Sequence, residues 1–134
     1  MLHNRIMADL PKLLMVEDDP NIRIVSEMCL EAHFKLLLAE SGQEALEICQ
    51  RETPDVILLD IHMPGMSGIT TLAKLREIDV LKEVPIIFLT ASVQTQEVEE
   101  YSRYDVQGVL RKPFDPMKLP KDIKKIIQDT NSSS

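Results

Sequence analysis

No stretch of this 134-residue sequence is long and apolar enough to cross a membrane, a task that needs roughly 18 consecutive apolar residues. The first residues, MLHNRIMADLP, lack the apolar core of a secretory signal, so a cytoplasmic protein is expected. Cysteine is scarce. Cys29 and Cys49 fall inside apolar helical patterns and not in a paired-spacing motif, and they read as packing thiols in a reducing compartment. Positive charge is in deficit: 15 Lys and Arg against 22 Asp and Glu leave a net charge of -7, which disfavours direct binding of nucleic acid through its phosphates. No internal repeat and no linker is found, and 134 residues with 44% apolar content support one domain around one core. The expected division is a domain over 12–129 between flexible segments at 1–11 and 130–134.

What is present is an alternation of strand-length apolar runs with helix-period segments, the pattern of crossover units on a parallel sheet. Five strands are predicted: Lys12–Glu17, Lys35–Glu40, Asp55–Asp60, Val84–Thr90 and Val106–Arg111. The middle ones are nearly all apolar, as strands covered by helices on both faces should be. Asp19-Pro20 and Asp115-Pro116 each place a capping carboxylate before a proline at a helix start, and Ser41-Gly42-Gln43-Glu44 reads as a capping box. Ile22, Val25 and Cys29, then Ala45, Ile48 and Cys49, then Leu72, Leu75 and Ile78, then Leu119, Ile123 and Ile126 are spaced to face the sheet from four helices. The segment Val93–Arg103 is the weakest helix, acidic at Glu97, Glu99 and Glu100, and is expected to be the most mobile. Pro120 does not fit a helix beginning at Pro116, which predicts a late start or a kink.

In a doubly wound parallel sheet, ligands bind at the carboxyl ends of the strands. Here the first strand ends in Glu17-Asp18-Asp19, the third in Asp60 and the fourth in Thr90, while Lys112-Pro113 follows the fifth. Singly, each has a plain reading: an acidic solvated turn with Asp19 as a cap, a strand threonine, a surface lysine. Together they put reactive groups at four strand ends of five while the strand interiors stay apolar. The chemistry they suit is phosphoryl transfer to a carboxylate. Asp60 is the nucleophile, a hard cation such as Mg2+ relieves the repulsion among the acids, and Lys112 neutralises charge on the phosphoryl oxygens.

The runs LLMVEDDP, DVILLDIHMPGMSG, VPIIFLTAS and GVLRKPFD, in that order, resemble the bacterial response-regulator receiver domain, the CheY-like module of two-component signalling. The resemblance covers almost the whole chain. It implies a flavodoxin-like strand order 2-1-3-4-5, with Asp60 as phosphoacceptor, Asp18 as direct ligand of Mg2+, and Glu17 as its acidic neighbour holding a metal-bound water. It further implies that His62 offers the metal its backbone carbonyl with its imidazole towards the phosphoryl group, that Thr90 is the switch hydroxyl, that Lys112 pairs with the phosphate, and that the Lys112-Pro113 bond is often cis. His62 and Ser92 match positions that line the path of the attacking water. The sequence departs from the family at Val109, where Tyr or Phe is usual. Switching is then expected through the loop after Thr90 and the weak helix, or through Tyr101 or Tyr104.

The implied function is a phosphoacceptor that takes its phosphoryl group from a histidine kinase or phosphotransfer protein, assists its own phosphorylation and dephosphorylation without being an enzyme, and controls a downstream protein. The implied docking face is the Val93–Arg103 helix, the fifth strand and the last helix with Lys118, Lys121, Lys124 and Lys125. No membrane or nucleic acid partner is expected, and a weak homodimer is among the expectations. A receiver segment of a hybrid histidine kinase fits the same residues. A phosphatase of haloacid-dehalogenase type fits less well, since it needs a second Asp where this chain has His62. A flavodoxin-like cofactor carrier fits less well too, since the acidic loop after the first strand would repel a flavin phosphate.

Overall fold

The computed structural model describes residues 9–92 and 94–132, with no account of side chains from 130 onward. Its apolar runs form five parallel strands: β1 (Lys12–Val16), β2 (Lys35–Ala39), β3 (Val56–Asp60), β4 (Ile86–Thr90) and β5 (Gly108–Arg111). They are ordered β2-β1-β3-β4-β5, the doubly wound arrangement expected. Five α-helices connect them: α1 (Pro20–Leu30), α2 (Gly42–Cys49), α3 (Gly68–Leu75), α4 (Thr95–Tyr101) and α5 (Leu119–Ser132), with a 3-10 turn at Asp79–Leu81. None of the described helices is long and apolar enough to cross a membrane.

Because successive strand residues point to opposite faces, the sheet divides its apolar side chains between two cores. Leu14, Val16, Ile57, Leu59, Ile86 and Phe88 pack under Ala45, Ile48 and Cys49 of α2 and Leu72 and Leu75 of α3. Leu13, Met15, Val56, Leu58, Ile87 and Leu89 pack under Leu30 of α1 and Leu119 and Ile123 of α5. β3 and β4 are buried along their whole length, which anchors their final residues, Asp60 and Thr90, to the most rigid part of the molecule.

Local signals fix where the helices begin. The Asp19 carboxylate accepts from the Asn21 N–H at 2.8 Å, with Pro20 in the first turn. Ser41 accepts from Glu44 N–H, while Glu44 reaches back one residue further than a capping box requires, to the Glu40 N–H. The last helix starts late: Asp115 and Pro116 form a separate turn, in which Asp115 accepts from Met117 N–H, and α5 opens at Leu119. Pro120 then sits in the first turn, where its missing donor costs no hydrogen bond.

The helical stripes face the sheet with one correction. Val25 is 40% exposed, because α1 turns Ser26 and Leu30 inward and leaves Val25 at the margin of that face, beside Phe114 and Pro116. α4 is shorter than expected and buries none of its residues; Val93, placed at its start from the sequence, lies outside the described residues. Of the segment 1–11, residues 1–8 lie outside the description, and the Pro11 carbonyl accepts from Lys35 N–H at 2.8 Å, beside the start of β2. α5 runs to Ser132, into the segment expected as a tail. Burial raises the Cys49 thiol to about 11, as suits an inert packing residue.

Two glycines shape the loop after β3. Gly65 has a φ of 76°, in the left-handed region that favours glycine. At Gly68, a Cβ would stand 2.3 Å from the Asp60 carbonyl oxygen and 2.6 Å from Ile61 Cα, so α3 begins in direct contact with the backbone that carries Asp60. The Gly68 N–H donates to the Ile61 carbonyl at 2.8 Å across that contact. Gly68→Ala should therefore cost about 1–3 kcal/mol, as overpacking against an unyielding backbone does, and equilibrium urea unfolding would measure it. A variant as stable as the parent would show that this backbone can move.

Candidate functional site

Four strands deliver the site. Glu17 and Asp18 follow β1 directly, Asp60 closes β3, Thr90 closes β4, and Lys112 follows β5. The register brings them to one rim: Asp60 pairs with Leu89, and Thr90, the next residue, pairs with Arg111. Glu17, Asp18 and Asp60 each offer a carboxylate oxygen within 4.8 Å of the others. The Lys112 ammonium lies 3.0 Å from Glu17 Oε1 and 3.2 Å from Asp60 Oδ1 and so bridges the two deepest acids. The spatial convergence expected from the sequence is present for these four residues, and the Lys112-Pro113 peptide is cis.

Burial makes this an unusual place for charge. Glu17 and Thr90 have no exposed surface and Asp60 has 1%, whereas isolated buried carboxylates are costly. Desolvation pushes the Glu17 carboxyl up to about 7; the hydrogen bond and charge of Asp60 push the same way, against the pull of Lys112 and the Asp19 N–H. Burial pulls the Lys112 ammonium down, but the hydrogen bond to Glu17 and the charges of Asp60 and Glu17 outweigh it, and Lys112 stays above the ordinary lysine value. One atom is left over. Asp60 Oδ1 takes the Lys112 ammonium and the His62 N–H at 3.3 Å, while Oδ2 is buried without a partner among the described residues. A buried, unpaired carboxylate oxygen beside two further acids fits a hard cation with oxygen ligands.

The remaining expected residues are engaged differently. Thr90 Oγ1 accepts from the Ser92 N–H at 3.0 Å, and the Thr90 carbonyl accepts from Lys112 N–H at 2.8 Å. The Ser92 hydroxyl donates to Glu97 and accepts from Gln94 N–H, so it is taken up at the start of α4. The His62 side chain is exposed and adds no ring nitrogen to the acid group; its ring lies against Tyr101 of α4.

Sequence reasoning missed Arg23. Its guanidinium on α1 donates to the carbonyls of Glu17 at 2.8 Å and Asp18 at 2.9 Å and pairs with Glu40 at 3.3 Å, which holds the acidic turn in shape. The signal available was a basic residue one turn into the helix that follows the acidic pair.

The family described as the response regulator receiver domain matches residues 13–124. Among curated proteins, the sensor histidine kinase AruS of Pseudomonas aeruginosa is 40% identical over 106 residues, which are 77% of this chain and 11% of that protein. The chain spans about half the length, or less, of the curated relatives it matches. Among solved structures, the chemotaxis response regulator CheY4 of Vibrio cholerae superposes with a TM-score of 0.81 at 31% identity, over 87% of this chain and 98% of that one. The receiver domain of the sensor histidine kinase PA1611 of Pseudomonas aeruginosa PAO1, solved with a magnesium ion in its active-site cleft, matches with a TM-score of 0.79 at 28% identity, over 89% and 98%. Strand order, the acidic rim with its bridging lysine and the family match over 13–124 agree, and the chain belongs to the response regulator receiver domain family.

Proposed function

We propose that Asp60 receives a phosphoryl group from a phosphohistidine of a histidine kinase or phosphotransfer protein, and that Glu17, Asp18 and the backbone of His62 join it in holding Mg2+. The observation that carries this reading is the buried Asp60 carboxylate, with Oδ2 unpaired and Oδ1 fixed by Lys112. An Asp60 oxygen attacks phosphorus, the phosphorus–nitrogen bond breaks, and its electron pair returns to the donor imidazole. Mg2+, when bound, neutralises charge among the acids and on the phosphoryl oxygens. Lys112, 3.2 Å from Asp60 Oδ1, would supply the second positive charge. The domain thus assists its own phosphorylation by positioning and charge, and water reverses it.

The added phosphoryl group brings about -1.5 to -2 charges and new acceptor oxygens. Thr90 is the group able to answer: its hydroxyl accepts from the Ser92 N–H and keeps its own proton to donate, and Ser92 is tied in turn to Gln94, which precedes α4, and to Glu97 of α4. A conformation in which Thr90 bonds the phosphoryl group would be selected on phosphorylation, with α4 displaced. The surface read by a downstream protein is α4, β5 and α5, acidic at Glu99 and Glu100 and basic at Lys121 and Lys125, and a weak homodimer through the same face is compatible with it. A domain working beside a cytoplasmic kinase fits the chain as a separate regulator or as a receiver segment of a hybrid kinase.

Incubation with acetyl phosphate and Mg2+ followed by intact-mass measurement should add one phosphoryl group to the parent and none to Asp60→Asn; incorporation that survives the substitution would move the acceptor elsewhere. The raised Glu17 carboxyl gives a pH dependence of definite sign. Without cation, the fold keeps this proton up to about 7, whereas its ordinary value is 4.5, so folding takes up a proton between them and stability falls as pH rises across that window. Mg2+ competes with the same proton, so its apparent affinity should weaken by up to about tenfold per pH unit below about 7, measured by calorimetric titration at pH 6 and 8. Equal affinity at both would show that Glu17 is not part of the cation site.

A further inference from the structure

Phe88, Tyr101 and Tyr104, three of the five phenylalanine and tyrosine side chains of this protein, gather between the site and α4. Tyr101 of α4 meets the His62 imidazole edge to face, with ring centroids 6.3 Å apart and planes at 75°, and meets Phe88 of β4 at 6.2 Å and 75°. Tyr104 meets Phe88 at 6.1 Å. These are the separations at which edge-on ring pairs attract. Phe88 is wholly buried and lies two residues before Thr90, on the same face of β4, and its register partner is the small Val109. Tyr101 and Val109 pack against the same core cluster, so the rings run without a break from the sheet interior to His62.

His62 stands at the mouth of the site, exposed, with its N–H on Asp60 Oδ1. Ser92, its counterpart beyond Thr90, has its hydroxyl committed to Gln94 and Glu97. The imidazole is exposed at the mouth, and Tyr101 is the aromatic ring that it meets.

We propose that Tyr101 is a positioning residue for loss of the phosphoryl group from Asp60: by holding the His62 imidazole against α4, it sets how long the group lasts. The inference rests on Asp60 as acceptor and on His62 bordering the route of water. In the reaction, a water oxygen forms a new bond to phosphorus, the bond from phosphorus to the Asp60 oxygen breaks with its electron pair returning to the carboxylate, and the proton of water leaves with inorganic phosphate or to solvent. A helix with no buried residue thereby gains a direct hold on the chemistry, and whatever moves α4 changes the lifetime.

The test is a cycle of variants loaded with acetyl phosphate and Mg2+, desalted into Mg2+ buffer, and followed by intact mass as the phosphoryl group decays. The ring-proton resonances of His62 report the contact itself through the ring current of Tyr101. Tyr101→Phe, which keeps the ring, should retain both the decay rate and the resonance. Tyr101→Leu should shift the resonance and change the rate by about two- to tenfold, the range one aromatic contact can account for, in the same sense as His62→Ala. In the His62→Ala background, Tyr101→Leu should add nothing. Parental decay in Tyr101→Leu, or an equal effect with and without His62, would overturn the proposal. If His62→Ala decays like the parent, the reading of His62 falls and the proposal with it; failure to load any variant would fall on Asp60 instead.

Discussion

The Lys112 ammonium, held within about 3 Å of both Glu17 and Asp60, is the interaction on which the site depends. Two carboxylates about 4 Å apart repel by about 4 kcal/mol at an effective dielectric of 20, and here Glu17 and Asp60 are both buried. One lysine cannot balance three acids. The balance is met in part by the proton that Glu17 retains to about 7, and the unpaired Asp60 Oδ2 marks what is still missing. The site is thus under-neutralised by construction, and in the proposed function that imbalance is what draws a cation and, in its company, a phosphoryl group.

Such an arrangement survives because the frame beneath it is rigid. β3 and β4 are covered on both faces, so Asp60 and Thr90 are placed by apolar packing and not by the polar contacts they make. Gly68 lets α3 rest on the backbone of Asp60 and Ile61, and Arg23 fixes the carbonyls of Glu17 and Asp18. By contrast, α4 contributes nothing fully buried and is joined to the site through Ser92, Glu97 and the ring of Tyr101. Buried packing is concentrated beneath Asp60 and Thr90 and is least at α4, the element that the proposed signal would move.

Much of this was legible in the sequence because it follows from periodicity. Apolar strands of uniform length gave the parallel sheet, and the residues closing them gave Glu17, Asp18, Asp60, Thr90 and Lys112 before any coordinates. Proline and aspartate placed the start of α1 and flagged the trouble in α5, though only the structure resolves that trouble as a late start. The face α1 turns inward was misjudged at Val25, because a helix of 3.6 residues per turn offers two adjacent arcs and spacing alone does not choose between them. Arg23 and the His62–Tyr101 contact were out of reach for a different reason. Arg23 stands only five and six residues from the carbonyls it finds, and His62 and Tyr101 are far apart in the chain, but in both cases the partner is chosen by side-chain rotamers that residue spacing does not encode.

If the rim is under-neutralised, removing one of its charges should relieve it. The most direct measurement is the thermal unfolding of the parent and Asp60→Asn at pH 8, each with and without saturating Mg2+. The account predicts that the cation-free Asp60→Asn protein melts above the cation-free parent and gains little from Mg2+, while the parent gains strongly. An Asp60→Asn protein that melts below the parent and is stabilised by Mg2+ to the same extent would contradict it.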